Sequence, residues 1–332
     1  MRQLNRFAFA LVTVLLVAGA GSVFARGTAE SGGKAAVSGS NTIVFIPKST
    51  DVTYWLFLRK GASDKAKELG YKLDYQGVAR ESDVAGQVNL VRNVAATMPA
   101  GILLAATDAT ALVDPVKEAM AAGVPVVMVD SGVNADVAVA SITTDNYDGA
   151  RKAGELLAKM VGGSGKLINL GITAGSETGN QRDKGFLDAL TAFPSITALP
   201  TQWTGAEAAV ALNSTNDLLT ANPDVVGIYS AAAPMGVGAA QALKARNLQG
   251  KVKLITFDPS PEVIPLFQDG TIQAIVAQDP YQMGYRGVDT IDRFRKGETI
   301  AAKSIQIPVQ IITPENFNTP EMQKLIQTPG TF

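Results

Sequence analysis

The stretch IVFIPKSTDVTYW, residues 43–55, decides the fold. Its first four residues, Ile43-Val44-Phe45-Ile46, form a short apolar run that a proline ends. Such a run suits a strand buried on both faces, and Pro47 has no N–H with which to continue a ladder. Lys48 follows, and Tyr54 and Trp55 come six and seven positions after it. A charged donor and two large aromatics therefore gather just past the carboxyl end of the first strand. Ligands bind at that place in an open parallel sheet. The stretch reads as one wall of a small-molecule cleft.

From Thr42 onward, strand-like and helix-like segments alternate. The patterning predicts further strands over 71–75, 101–106, 124–130, 137–142, 166–172, 196–202, 225–230, 251–257, 271–277 and 305–312. Helices are predicted over 55–69, 84–97, 109–121, 146–161, 182–192, 207–220, 237–246, 262–268 and 283–295, the first stopped by Gly70 as C-cap. The alternation predicts an α/β fold with doubly wound parallel sheets and right-handed crossovers. About eleven strands are more than one such sheet usually carries, so two lobes are expected. The halves echo each other: 124–130 and 252–258 are both apolar strands that end in Asp, at Asp130 and Asp258.

The 332 residues, 46% hydrophobic and 18% charged, are ample for two packed domains. Residues 1–25 read as a signal peptide: Arg2 and Arg6 precede an uncharged apolar run over 7–21, and Ser22-Val23-Phe24-Ala25 offers the small residues of a cleavage site near Ala25. An uncleaved anchor is the alternative, and the run is short for a membrane span. Removing this segment takes away two Arg and no acid, so the net charge moves from −1 to −3. That balance predicts no nucleic-acid partner. The chain has no cysteine, hence neither a disulfide framework nor a lipidated Cys. A soluble periplasmic protein is expected, with residues 26–41, rich in Gly, Ser and Ala, as a flexible leader.

Polar groups follow nearly every strand: Lys48, Asp108, Asp130, Asn180 in the turn after Ile172, Trp203, Asp258, and Gln278-Asp279. Asp accepts, Asn and Gln do both, and Lys donates. Together they suit a neutral ligand dense in hydroxyls. Tyr54, Trp55 and Trp203 offer flat faces to the C–H side of a sugar ring or polyol. Each has a plainer reading. An aromatic there can be core, Asp108 and Asp258 can be helix caps, and Lys48 can simply pair with Asp130 or Asp51. Histidine and cysteine are absent, so the common general base, imidazole metal ligands and thiol nucleophile are missing. No GxSxG elbow occurs, and Gly162-Gly163-Ser164-Gly165-Lys166 precedes a strand, with Leu167 where a phosphate loop needs Ser or Thr. A binding protein is expected, without catalytic residues, cofactor or metal. Carboxylate-based glycoside hydrolysis is the enzymatic alternative, and nothing marks its acid.

The chain resembles the periplasmic sugar-binding proteins of the ribose-binding type, the substrate receptors of ABC importers. The likeness runs from about Thr42 to Ile312. It lies in IPKSTDVTYW at 46–55, GILLAATDATALVDPVKEA at 101–119, GVPVVMVDSG at 123–132, TDNYDGARKAGELLA at 144–158, ITFDPSPE at 255–262 and IVAQDPYQMGYRGVDTI at 275–291. The resemblance implies a type I periplasmic binding fold, with Tyr54 and Trp55 as stacking aromatics and Asp130, Asp258 and Gln278 on sugar hydroxyls. Asn180 sits where ribose receptors have an Arg, and Trp203 where they have a Phe. Ser131 replaces an Arg, Ala232 an Asn, and Lys48 a Ser. The Pro-Lys pair and the alanine-rich turn also look like autoinducer-2 receptors of this fold and like receptors for sugar alcohols. A pentose other than ribose, a hexose or a polyol is therefore the implied ligand, with an autoinducer-2-type signal as the alternative.

The resemblance also implies a hinge of three crossings, near Thr143-Thr144, Gln278-Asp279 and Pro308-Val309. It divides the chain into an N-lobe of 42–143 plus 279–308 and a C-lobe of 144–278 plus 309–332, with the strand over 305–312 spanning the third crossing. The implied partner is an ABC permease in the inner membrane, a chemoreceptor being a second candidate, and a monomer is expected. A transcription regulator on the same core is the rival from another class. The export segment and the lack of a helix-turn-helix before Thr42 speak against it.

Overall fold

The computed structural model describes residues 40–326. The expected signal peptide and most of the leader lie outside the described residues. The chain begins β1 (Thr42–Ile46), α1 (Tyr54–Leu69), β2 (Lys72–Tyr75), α2 (Val84–Ala96), β3 (Gly101–Leu104), α3 (Val113–Ala121), β4 (Val126–Asp130) and β5 (Ala140–Thr144). A second round follows: α4 (Asn146–Met160), β6 (Ser164–Gly171), α5 (Glu177–Leu190), β7 (Ser195–Ala198), β8 (Gln202–Trp203), α6 (Ala208–Ala221), β9 (Val225–Ser230), α7 (Ala233–Ala245), β10 (Lys253–Phe257), α8 (Val263–Gln268) and β11 (Ala274–Ala277). The chain closes with α9 (Pro280–Arg295), β12 (Ser304–Ile307), β13 (Gln310–Ile312) and α10 (Pro320–Ile326).

These strands form two sheets, one per lobe. The first is parallel throughout, in the order β12-β5-β4-β3-β1-β2. The second runs β13-β11-β10-β9-β6-β7, with β8 also on β6 and β13 antiparallel to β11. Strand β1 is buried on both faces, as its composition requires. Ile43 and Phe45 pack with α1, while Val44 and Ile46 join the apolar cluster of α2 and α3 on the other side. The chain changes sheets after β5, after β11 and between β12 and β13.

Three predicted elements differ in ways that matter. The strand expected over 305–312 is two strands, because Pro308 cannot donate to a ladder and the chain passes there from one sheet to the other. The strand expected over 196–202 is likewise broken, at Pro200. Helix α5 starts at Glu177, five residues before its predicted start, because Ser176 Oγ caps it by accepting from the Gly179 N–H at 3.0 Å.

Helix α9 returns to the first lobe and packs tightly on α1. A Cβ on Gly61 would lie 1.9 Å from the Tyr281 carbonyl oxygen, and one on Gly284 2.0 Å from that of Leu58. Backbone cannot yield as a side chain can. Gly284→Ala is expected to cost about 2–3 kcal/mol of stability by forcing the helices apart. Chemical denaturation checks this, and a cost under about 0.5 kcal/mol, within the range of neutral surface changes, would refute the close approach.

Candidate functional site

The carboxyl ends of the two sheets face one another across a small cavity. Val52, Tyr54, Pro234, Asp258 and Gln278 carry it into a larger, more apolar vestibule, which Phe57, Val237 and Leu325 also line.

Lys48 follows β1 and is 2% exposed. Its Nζ lies 3.0 Å from Asp130 Oδ2 and donates to Thr178 Oγ1 at 3.3 Å, so it joins the end of the first sheet to α5 of the second. Tyr54 donates from Oη to Asp130 Oδ1 at 2.8 Å and lies 3.5 Å from Gln278 Oε1. Burial, reinforced by Asp130, raises the Tyr54 hydroxyl well above its usual range, so it stays a donor. Gln278 donates from Nε2 to Asp258 Oδ1 at 2.6 Å and accepts from Thr144 Oγ1 at 2.6 Å. Lys48, Asp130 and Tyr54 thus form one hydrogen-bonded chain, and Tyr54 Oη lies beside a second, which runs from Thr144 through Gln278 to Asp258.

Asp130 and Asp258 share one more property. Both adopt left-handed backbone conformations, with φ of 63° and 68°. Asp tolerates this region better than most residues, and it turns the chain sharply as each strand ends. Strain of this kind tends to collect at working sites. The echo visible in the sequence is therefore an echo in backbone geometry. Burial pushes the Asp258 carboxyl up to about 6, although Arg182 and Gln278 act against the rise.

Arg182 is 2% exposed and is the cavity's second cation. Its Nε donates to Asn146 Oδ1 at 2.9 Å and its Nη1 to the Ala231 carbonyl at 2.6 Å, while the guanidinium lies 3.8 Å from the centre of the Phe257 ring. Its Nη2 is buried and has no partner among the described residues, and the same holds for Trp55 Nε1. Trp55 both lines the cavity and belongs to the first lobe's core, edge-on to Tyr54 with ring centres 5.0 Å apart.

Six sequence-predicted residues therefore converge: Lys48, Tyr54, Trp55, Asp130, Asp258 and Gln278. Four lie elsewhere. Asp108 accepts from the amides of Thr110 and Ala111 and holds a turn. Asp279 caps α9 by accepting from the Gln282 N–H. Trp203 is 39% exposed, with its ring over Gly171. Asn180 is exposed and receives the Gly175 N–H at 3.5 Å.

The helix start explains Asn180. Once α5 begins at Glu177, Thr178 and Arg182 stand four apart on one face, and Asn180, two residues from each, points away from it. Arg182 takes the place expected for Asn180. The Ser176 cap was the signal in the sequence that could have found it. The alanine-rich turn contributes through its backbone: Ala232 lines the cavity and the Ala231 carbonyl holds Arg182.

Known proteins are similar to this chain in sequence and fold. Residues 43–299 match the family model described as the periplasmic binding protein domain. The chain is 30% identical over 263 residues to the ribose import binding protein of Escherichia coli (strain K12), covering 79% of this chain and 88% of that one. It is 29% identical over 288 residues to the D-apiose import binding protein of Paraburkholderia graminis, covering 85% and 90%. Among solved structures, an ABC transporter solute binding protein from Agrobacterium vitis with bound D-fucose is similar at a TM-score of 0.83 and 33% identity, covering 86% of this chain and all of that one. A carbohydrate transporter solute binding protein from Agrobacterium radiobacter, in complex with D-arabinose, is similar at the same TM-score and identity, over 88% of this chain. These relatives are binding components of importers rather than enzymes. With two parallel-sheet lobes and a family match over most of its length, the chain belongs to the periplasmic binding protein family.

Proposed function

We propose that the protein captures a neutral monosaccharide or sugar alcohol between its lobes and delivers it to an ABC permease in the inner membrane. The supporting observation is the convergence of Lys48, Tyr54, Trp55, Asp130, Arg182, Asp258 and Gln278 on one cavity. Those groups come from both lobes, so only a closed arrangement lets one ligand meet them all, and ligand binding favours closure for that reason. Acceptors and donors of both charges, mostly paired with each other, suit hydroxyls better than an ionic ligand. A micromolar ligand needs about 8 kcal/mol net, within reach of a few charge-assisted hydrogen bonds and one aromatic face.

The three sheet changes serve as the hinge in this reading, dividing the chain into 42–143 plus 279–308 and 144–278 plus 309–332. The family's name and the pattern of residues 1–25 support a periplasmic protein cleaved near Ala25. Nothing in the mechanism requires a second copy of the chain.

Asn180→Ala and Trp203→Ala are expected to leave sugar affinity within about twofold, while Asp130→Ala loses at least a hundredfold, the scale of a buried charged hydrogen bond. Calorimetry with a sugar of the D-arabinose or D-fucose type measures both. Equal losses in all three variants would move the site toward Asn180 and Trp203. A hydroxylated furanone signal of the autoinducer-2 type is the second reading, favoured by Lys48 in the cavity wall. Thermal stabilisation by that furanone and by no sugar or polyol would select it.

A further inference from the structure

The cavity holds one carboxylate that neither hydrogen-bonded chain uses. Glu81 lies in the loop between β2 and α2 and is 8% exposed. It lines the cavity together with Lys48, Trp55, Asp130 and Arg182. Four charged groups face it: Lys48 after β1, Asp51 in the loop before α1, Asp130 at the end of β4, and Arg182 from α5 of the other lobe. None of them hydrogen-bonds it. Lys48 is engaged with Asp130 and Thr178, and Arg182 with Asn146 and the Ala231 carbonyl. The loop itself is drawn against the second lobe, where neighbouring Arg80 lies 3.5 Å from Glu207. The Glu81 oxygens are not among the fully enclosed polar atoms that lack a partner, so the carboxylate keeps an open side toward the cavity and an unused acceptor there.

We infer that Glu81 is a ligand contact, its carboxylate accepting a hydrogen bond from a hydroxyl of the bound sugar or polyol. The inference rests on the receptor reading above and deepens it. Glu81 brings the cavity's carboxylates to three, with Asp130 and Asp258, against two cations. The ligand is therefore a neutral polyhydroxy compound, and sugar acids and sugar phosphates are disfavoured.

A dependence on pH follows. Burial pushes the Glu81 carboxyl up to about 7, with Lys48 opposing the rise and Asp130 and Asp51 adding to it. A hydroxyl that donates to the carboxylate favours its ionised form, so the bound carboxyl titrates lower than the free one. Binding near pH 7 then releases a proton, and affinity rises with pH through 7. A free carboxyl near 7 that stays ionised when bound makes binding up to about tenfold weaker at pH 6 than at pH 8. Asp258, near 6, adds about a factor of two at the acid end.

Calorimetry of the wild type, Glu81→Gln and Asp130→Ala tests this with D-ribose, D-arabinose, D-allose, D-fucose and ribitol. Each titration is run at pH 6, 7 and 8, in two buffers of different ionisation enthalpy. The wild type is expected to release about half a proton at pH 7 with the compound it binds. Glu81→Gln is expected to bind about tenfold more weakly at pH 8, to release almost no proton at pH 7, and to keep no more than the twofold pH effect of Asp258. Wild-type affinity or unchanged proton release in Glu81→Gln overturns the assignment. If Asp130→Ala loses binding in that same experiment, the receptor reading survives that failure. Failure of the wild type to bind any of the five compounds overturns the receptor reading and the Glu81 assignment with it.

Discussion

Lys48→Met is expected to destabilise the protein by about 3–5 kcal/mol at pH 7, the usual cost of removing one partner from a buried ion pair. The variant fills nearly the same space but leaves the Asp130 carboxylate, 4% exposed, with Tyr54 as its remaining side-chain partner. It also severs Lys48 from Thr178 and so loosens α5 from the end of β1. Pairing it with Asp130→Asn removes the stranded charge, and the double variant is expected to recover much of the loss. Ligand affinity is not expected to recover, because the cavity has then lost both its ammonium and its carboxylate. Denaturant unfolding of the two variants measures the first effect and calorimetry the second. A cost under about 1 kcal/mol for Lys48→Met would mean that the pair is solvated, as surface pairs are, and not part of a dry cavity wall.

Arg182→Met is expected to weaken binding by about a hundredfold or more, close to 3 kcal/mol, the upper range for a hydrogen bond to a charged group. Two of its nitrogens are fixed by Asn146 and the Ala231 carbonyl, and the plane lies over Phe257. The side chain is thus already oriented, and Nη2 is the nitrogen left for a ligand. Arg182→Lys should not rescue binding, since an ammonium cannot serve Asn146, Ala231 and a ligand with the geometry of a planar fork. Affinity within threefold of wild type in Arg182→Lys would remove Arg182 from the site. Both substitutions leave the Ala231 carbonyl or Asn146 short of a donor, so a stability loss of about 1–3 kcal/mol accompanies either.

The fold was legible because its central strands are buried on both faces. Runs such as Ile43–Ile46 and Val225–Ser230 have no amphipathic alternative, and the glycine or proline at many of their ends sets their limits. The expectation of two lobes and of a periplasmic binding fold agrees with the two sheets and with the family match. Residues directly after strands were the easiest site residues to read: Lys48, Asp130, Asp258 and Gln278 all line the cavity. Strand ends fix direction as well as place.

Helix and loop residues were harder. Asp108 and Asp279 also follow strands, yet both spend their carboxylates on backbone amides, a use that residue type alone cannot separate from ligand binding. Arg182 depended on where α5 begins, and a shift in that start moves a different side chain to the inner face. Glu81 lies in an irregular loop, where no periodicity reports direction, and only the packed structure shows it buried among the charges of both lobes.

The most direct measurement is a thermal-shift panel of neutral sugars, polyols and sugar acids on the wild type beside Asp130→Ala. Stabilisation grows with the logarithm of ligand concentration over its dissociation constant, and a ligand at a hundred times that constant adds about 2.7 kcal/mol. At least one neutral sugar or polyol is expected to raise the wild-type melting temperature by several degrees, with the shift absent in Asp130→Ala and no response to sugar acids. No shift with any neutral compound, or the same shift in Asp130→Ala, would contradict capture of a hydroxyl-rich ligand in the cavity between the lobes.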